Sequence, residues 1–149
     1  MINISIPFTT YREVEKSIPI IKEELSKNNI YPDNKSLEKI TIEIMTNSYS
    51  SGGWYSKEEL ISYTKIYIQQ ISFLIVQKEL LQKNIKMDEH DIWFLTGEII
   101  KILHNNNHGV SEEEIKDMTK QCINNGLYKK FIGYSKKLDD RIMPVTDNK

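Results

Sequence analysis

The stretch that most constrains the fold of this chain is Ser56 to Lys83, which lies in the longest run without Gly or Pro and has the most apolar centre. Ser56 is followed at the third position by Glu59, the pair of a capping box, in which the hydroxyl takes a free helix-end N–H and the carboxylate reaches back to the cap. Leu60, Thr64, Ile68, Ile71 and Ile75 then recur at helical spacing, with Ile66, Tyr67, Phe73, Leu74 and Val76 on the other sides. A helix apolar on several sides is expected to be surrounded, and Ile71 and Ile75 are expected to be buried. Lys65, Gln69, Gln70, Gln77, Lys78 and Glu79 interrupt it too often for a membrane span, which needs about 20 nearly uncharged residues. At about 1.5 Å per residue the helix would run roughly 40 Å, long enough for others to pack around it.

The 149 residues suit one domain, 1–149, with a core that needs no staple. A composition 28% charged and 39% hydrophobic, with net charge -1, argues against disorder and offers no global attraction to nucleic acid or anionic membrane. Cys122 is alone, which excludes an internal disulfide and is compatible with a reducing compartment. The first residues, Met-Ile-Asn-Ile-Ser-Ile-Pro-Phe, lack the basic leader and long apolar run of a signal peptide, so a cytoplasmic protein is expected. Arg occurs only at positions 12 and 141, while Lys, Ile and Asn abound; their AT-rich codons point to a low-GC bacterium or its phage.

Ile2, Ile4, Ile6 and Phe8 alternate with polar residues and Pro7, which predicts a short extended segment. Thr10 with Glu13 opens a helix striped by Val14, Ile18, Ile21 and Leu25 and predicted to kink or split at Pro19. After the loop Asn28–Asn34, Leu37, Ile40, Ile44 and Met45 fit a helix, although Ile40, Ile42 and Ile44 would also alternate in a strand. Ser50-Ser51-Gly52-Gly53 breaks the chain before the long helix, and Asn84 to Met87 closes it. Asp88 with Asp91 opens a helix through Ile92, Leu95, Ile99 and Leu103; Ser111 with Glu114 opens another through Ile115, Met118 and Cys122, ended at Asn125-Gly126. A short basic and aromatic segment, 127–138, and a loose tail from about residue 139 complete the chain. The predicted fold is mainly all-α, five or six helices around the long central one.

Residues 43–68 laid on 98–123, 55 residues apart, match without a gap at Glu43/Glu98, Ser56/Ser111, Glu59/Glu114, Thr64/Thr119 and Ile68/Ile123. Capping chemistry alone selects some of these, but the match predicts two helix–loop–helix units.

Motifs for chemistry are sparse. The loops at 47–55 and 104–110 lack the carboxylates of a calcium loop. His104 and His108 are four apart but sit where the helix is ending, and His90 lies within Asp88–Asp91, whose carboxylates suit a helix N-terminus; no metal or cofactor is expected. Cys122, on an apolar face, is expected to be a structural thiol, and there is no phosphate loop or nucleophile elbow. Two patches remain as binding candidates. Tyr49, Trp54 and Tyr55 sit on a Ser/Gly-rich loop and have the character of interface anchors, or else of a staple packed on Leu60. Tyr128, Lys129, Lys130, Phe131, Tyr134, Lys136 and Lys137 interleave cations and aromatics as a nucleic-acid surface does, or else form a solvated final helix with a Lys-rich end suited to the dipole.

A helix followed by Ser-x-x-Glu and then Asn-Gly-Leu-Tyr over residues 98–134 resembles the winged-helix pattern, in which a strand begins after Asn-Gly, though no strand-turn-strand wing is in view. The function expected is a non-enzymatic protein-binding module, a bacterial or phage inhibitor or immunity-type protein that neutralises a toxin or nuclease. A helical, winged-helix-like nucleic-acid regulator is the alternative, with a metal-dependent helical enzyme third.

Overall fold

The computed structural model describes residues 11–47 and 55–142, and among them there is no strand. Six α-helices follow one another: α1 Tyr11–Ser26, α2 Asn34–Thr46, α3 Lys57–Gln82, α4 Glu89–Asn105, α5 Glu112–Asn124 and α6 Tyr134–Ile142, with a 3₁₀ helix at Leu127–Phe131. The all-α reading therefore stands. The extended segment expected at 2–8, the break at 50–53 and the end of the tail lie outside the described residues; α6 itself continues past residue 139. No helix among the described residues is long and apolar enough to cross a membrane.

Local chemistry explains the boundaries. Ser56 caps α3 as its capping box predicts: its N–H donates to Glu59 Oε1 at 2.9 Å, and the Glu59 N–H donates to its hydroxyl at 3.1 Å. Residues 37–45 are helix and not strand because Asp33 caps α2 through the Ser36 N–H at 2.7 Å, and Leu37, Thr41, Ile44 and Met45 then fall on one buried face. Of the kink or split expected at Pro19 the split does not occur, and α1 runs through it as one helix. Pro19 and Glu15, whose carbonyl loses its donor, are both exposed, so water can replace the missing bond.

The described residues fall into two compact units, Met1–Ile68 and Gln69–Lys149, whose boundary lies within α3. Among the described residues of each unit, a helix is followed by a turn, a second helix and, through a cap, the start of a third. The 55-residue correspondence seen from residue 43 in sequence reaches back to α1. The N-caps Asp33 and Asp88 correspond, as do the helix starts Asn34 and Glu89, and Lys57 and Glu112. Ser111 and Glu114 repeat the Ser56–Glu59 capping box.

Four fully buried threonines also pair. Thr41 and Thr96 donate to the carbonyls of Leu37 and Ile92 at 2.8 and 2.7 Å, and Thr64 and Thr119 to those of Leu60 and Ile115 at 2.6 Å each. Bonding back to residue i−4 satisfies the hydroxyl, so each threonine is buried without a desolvation penalty.

The first helix of each unit buries corresponding side chains, Ser17/Ser72, Ile21/Val76, Glu24/Glu79 and Leu25/Leu80. Each then ends in a Schellman turn. Asn29 and Asn84 take left-handed φ of 62° and 59°, and the N–H groups of Ile30 and Ile85 return to the carbonyls of Leu25 and Leu80 at 3.0 and 2.9 Å. Asparagine tolerates that conformation because its short polar side chain bonds locally. A third copy of the turn closes α4, with Asn107 at φ 61° and His108 N–H to the Leu103 carbonyl at 2.8 Å.

The packing register of α3 differs from the expected one. Ile71 and Ile75 are only half-buried; the buried row is Leu60, Thr64, Ile68, Ser72, Val76 and Leu80. Four residues advance roughly 400° around a helix, so this row drifts by about 40° per step and occupies no single face. Nor is α3 surrounded, because Leu74 and Leu81 are 61% and 57% exposed.

Candidate functional site

In the second unit, α4 positions the basic and aromatic C-terminal segment. Asp91 lies in the first turn of α4, as a helix-end charge was expected to, but it is also buried and accepts from the N–H of Gly133 at 2.8 Å, the N–H of Ser135 at 2.9 Å and the Ser135 hydroxyl at 2.8 Å. Its carboxylate thus caps α6 from another helix and sits at the positive end of that helix dipole. Burial pushes the Asp91 carboxyl up, but the bonds from Ser135 and Gly133 outweigh it and hold the group below its usual range. Tyr134 completes the junction, its ring 5.1 Å from Phe94 edge-on and 5.2 Å from Phe131.

The four lysines of this segment, Lys129, Lys130, Lys136 and Lys137, are exposed, and Tyr134 is 36% exposed. Lys136 and Lys137 lie in the first turn of α6, so they face the positive end of the dipole and not the negative end that a favourable Lys-rich terminus requires. The strand that a winged-helix pattern places after Asn125-Gly126 is replaced by the 3₁₀ helix Leu127–Phe131, with Gly126 at φ 80° permitting the turn.

Of the loop aromatics, Tyr49 and Trp54 lie outside the described residues. Tyr55 is half-buried, and its hydroxyl donates to the Met45 carbonyl at 3.1 Å, near the end of α2. Tyr55→Phe is expected to cost about 1 kcal/mol of stability, the usual worth of one such hydrogen bond, measured by urea denaturation.

Sequence reasoning missed a cleft in the first unit. About 420 Å³ lies between α1 and the loop after it, lined by Pro19, Lys22, Glu23, Ser26, Ile30, Tyr31 and Pro32. Tyr31 is 74% exposed, with its hydroxyl 3.3 Å from the Ser26 carbonyl. The only sign of it in the sequence is Ile30-Tyr31-Pro32, an aromatic between a β-branched residue and a proline just past a helix end.

The described residues hold no cluster of three metal-ligating side chains. His104 ends α4 while His108 lies beyond its cap, 3.9 Å from Glu114, so the two imidazoles do not share a helix face. Cys122 is buried, and burial pushes its thiol up to about 11, a value at which almost no thiolate forms near neutral pH. Comparison of the chain with known protein families, with characterised proteins and with solved structures yields no match.

Proposed function

We propose that the chain is a non-enzymatic protein-binding module, an inhibitor or immunity-type protein of bacterial or phage origin that acts in the cytoplasm on a partner such as a toxin or nuclease. The observation that carries this reading is Tyr31, a large aromatic held in the open beside an apolar cleft. Tyrosine offers wide contact area at low entropic cost, and interfaces draw their binding energy from a few such anchors. The loop aromatics Tyr49, Trp54 and Tyr55 are assigned the same role.

The alternative, a nucleic-acid regulator, draws on the exposed Lys129, Lys130, Lys136 and Lys137 around Tyr134. Four cations release only a few counterions, so affinity for DNA or RNA should be weak and fall steeply with salt. The test is a salt titration of labelled single- and double-stranded DNA and RNA against the wild type and a variant with all four lysines changed to Gln. Negligible binding near 0.15 M salt is expected. Sequence-specific binding that survives this salt and disappears in the variant would put the regulator first.

A further inference from the structure

The internal correspondence breaks at Asn125-Gly126. The chain reads Gln70-Ile71 55 residues earlier, and α3 runs through them to Gln82, whereas α5 ends at Asn124 and gives way to the 3₁₀ helix Leu127–Phe131. Asn125-Gly126 is the only Asn-Gly pair in the sequence. Asn125 is exposed at φ -92° and ψ 0°, and Gly126 takes the left-handed φ of 80° that turns the chain. The Asn125 side chain folds forward over this turn, its Oδ1 accepting from the Leu127 N–H at 2.9 Å. That bond closes a short ring containing both the amide carbon, Cγ, and the Gly126 nitrogen, so the two stay neighbours while the turn persists. The Gly126 N–H has only a long bond to the Ile123 carbonyl, 3.3 Å, and the space where a Cβ would stand on Gly126 is open.

These are the parts of an intramolecular acyl transfer. Once a hydroxide ion has taken the Gly126 amide proton, the nitrogen adds to Cγ and a C–N bond forms. Negative charge develops on Oδ1, to which the Leu127 N–H already donates, as an oxyanion-hole donor does. The tetrahedral carbon then expels the side-chain nitrogen, which takes a proton from water and leaves as ammonia, and a five-membered succinimide remains. Water opens either carbonyl of that ring, leaving an aspartate at position 125 or an isoaspartyl link with one more carbon in the main chain. The sum is amide and water to acid and ammonia. We infer that Asn125-Gly126 is a self-modifying joint, which converts without an enzyme in the folded chain and thereby loosens the C-terminal segment from α5. Either product sets a carboxylate at the C-terminal, negative end of the α5 dipole, and the isoaspartyl link also lengthens the path from α5 to Leu127. Asp91 still holds the far side of the segment at Gly133 and Ser135. The inference stands apart from the protein-binding reading.

The test incubates the full chain at mildly alkaline pH, folded and in urea, and follows each asparagine by peptide mapping with mass spectrometry, isoaspartate being scored with an isoaspartyl methyltransferase. Conversion at Asn125 should exceed that at Asn124, also exposed but followed by Asn, at least tenfold. It should run no more slowly in the folded chain than in urea, because the Leu127 N–H is in place only when the turn is formed. Asn125→Gln, whose longer side chain would have to close a larger ring, should abolish conversion at the joint. After incubation, trypsin should cut wild type faster at Lys129 and Lys130 than before, and Asn125→Gln at an unchanged rate. No conversion at Asn125, equal conversion at Asn124, or a slower rate in the folded chain than in urea would overturn the proposal. Conversion that leaves trypsin cutting unchanged would overturn it as well, since the joint would then not govern the segment.

Discussion

Leu80→Ala should lower the stability of the chain by about 2–5 kcal/mol, whereas Leu81→Ala, one residue on, should change it by less than about 0.5 kcal/mol. Leu80 is fully enclosed and its carbonyl anchors the turn to Ile85, so truncation leaves a cavity in the core of the second unit. Leu81 is 57% exposed and gives up little contact. Urea denaturation with the slope held common to both variants measures the difference. Ile71→Ala, at a half-buried site, should fall between them. Similar losses at Leu80 and Leu81 would show that the packing register of α3 is not the one described.

Asp91→Ala should cost on the order of 3 kcal/mol, because it removes a charged acceptor from three donors and leaves the Gly133 and Ser135 N–H groups without it. It should also detach the C-terminal segment, so that trypsin cuts at Lys129, Lys130, Lys136 and Lys137 far faster than in wild type. Asp91→Asn, which retains an acceptor oxygen but no charge, should lose less. The pH dependence follows from the direction of the shift. A carboxyl held below its unfolded value contributes stability that is fully present above that value, about 3.9. The contribution is lost as pH falls through the folded value, so wild type should lose stability in acid below about pH 4 more steeply than Asp91→Asn. Parallel acid profiles would show that the carboxylate is not the clamp.

Capping was the most legible part of the chain, because a Ser or Asp with a carboxylate three residues on is a local signal whose partners are its own neighbours. Ser56, Ser111 and Asp88 cap helices as that signal predicts, whereas Asp33, followed at the third position by Ser36 and read as loop, caps α2 without it. Register was less legible. α3 carries more apolar residues than one face can hold, so Ile71 and Ile75 looked as buried as Val76 and Leu80, and nothing local marks Ser72 and Glu79 as buried polar groups. The repeat also runs through earlier positions, where Ser17/Ser72, Glu24/Glu79, Leu25/Leu80, Asn29/Asn84, Asp33/Asp88 and Thr41/Thr96 are identical and Ile21/Val76 conserves only the role, so the sequence held more of it than the part read from residue 43. Asp91 was read as a first-turn charge of α4, which it is, but its second role as a cap of α6 was not legible because those donors lie 42 and 44 residues away and only the tertiary fold brings them together. Tyr31 was passed over for a different reason: the lining of its cleft is close in sequence, but a cleft between a helix and its following loop leaves no periodic trace.

Capture of the tagged full-length chain from the cells that encode it, with nuclease added and salt near 0.15 M, tests the proposed function most directly. The proposed function predicts one protein recovered in near-equal amount with the bait, unaffected by nuclease, and lost when the exposed aromatic Tyr31 is replaced in a variant that melts like wild type. Recovery of nucleic acid, with every captured protein released by nuclease, would contradict it.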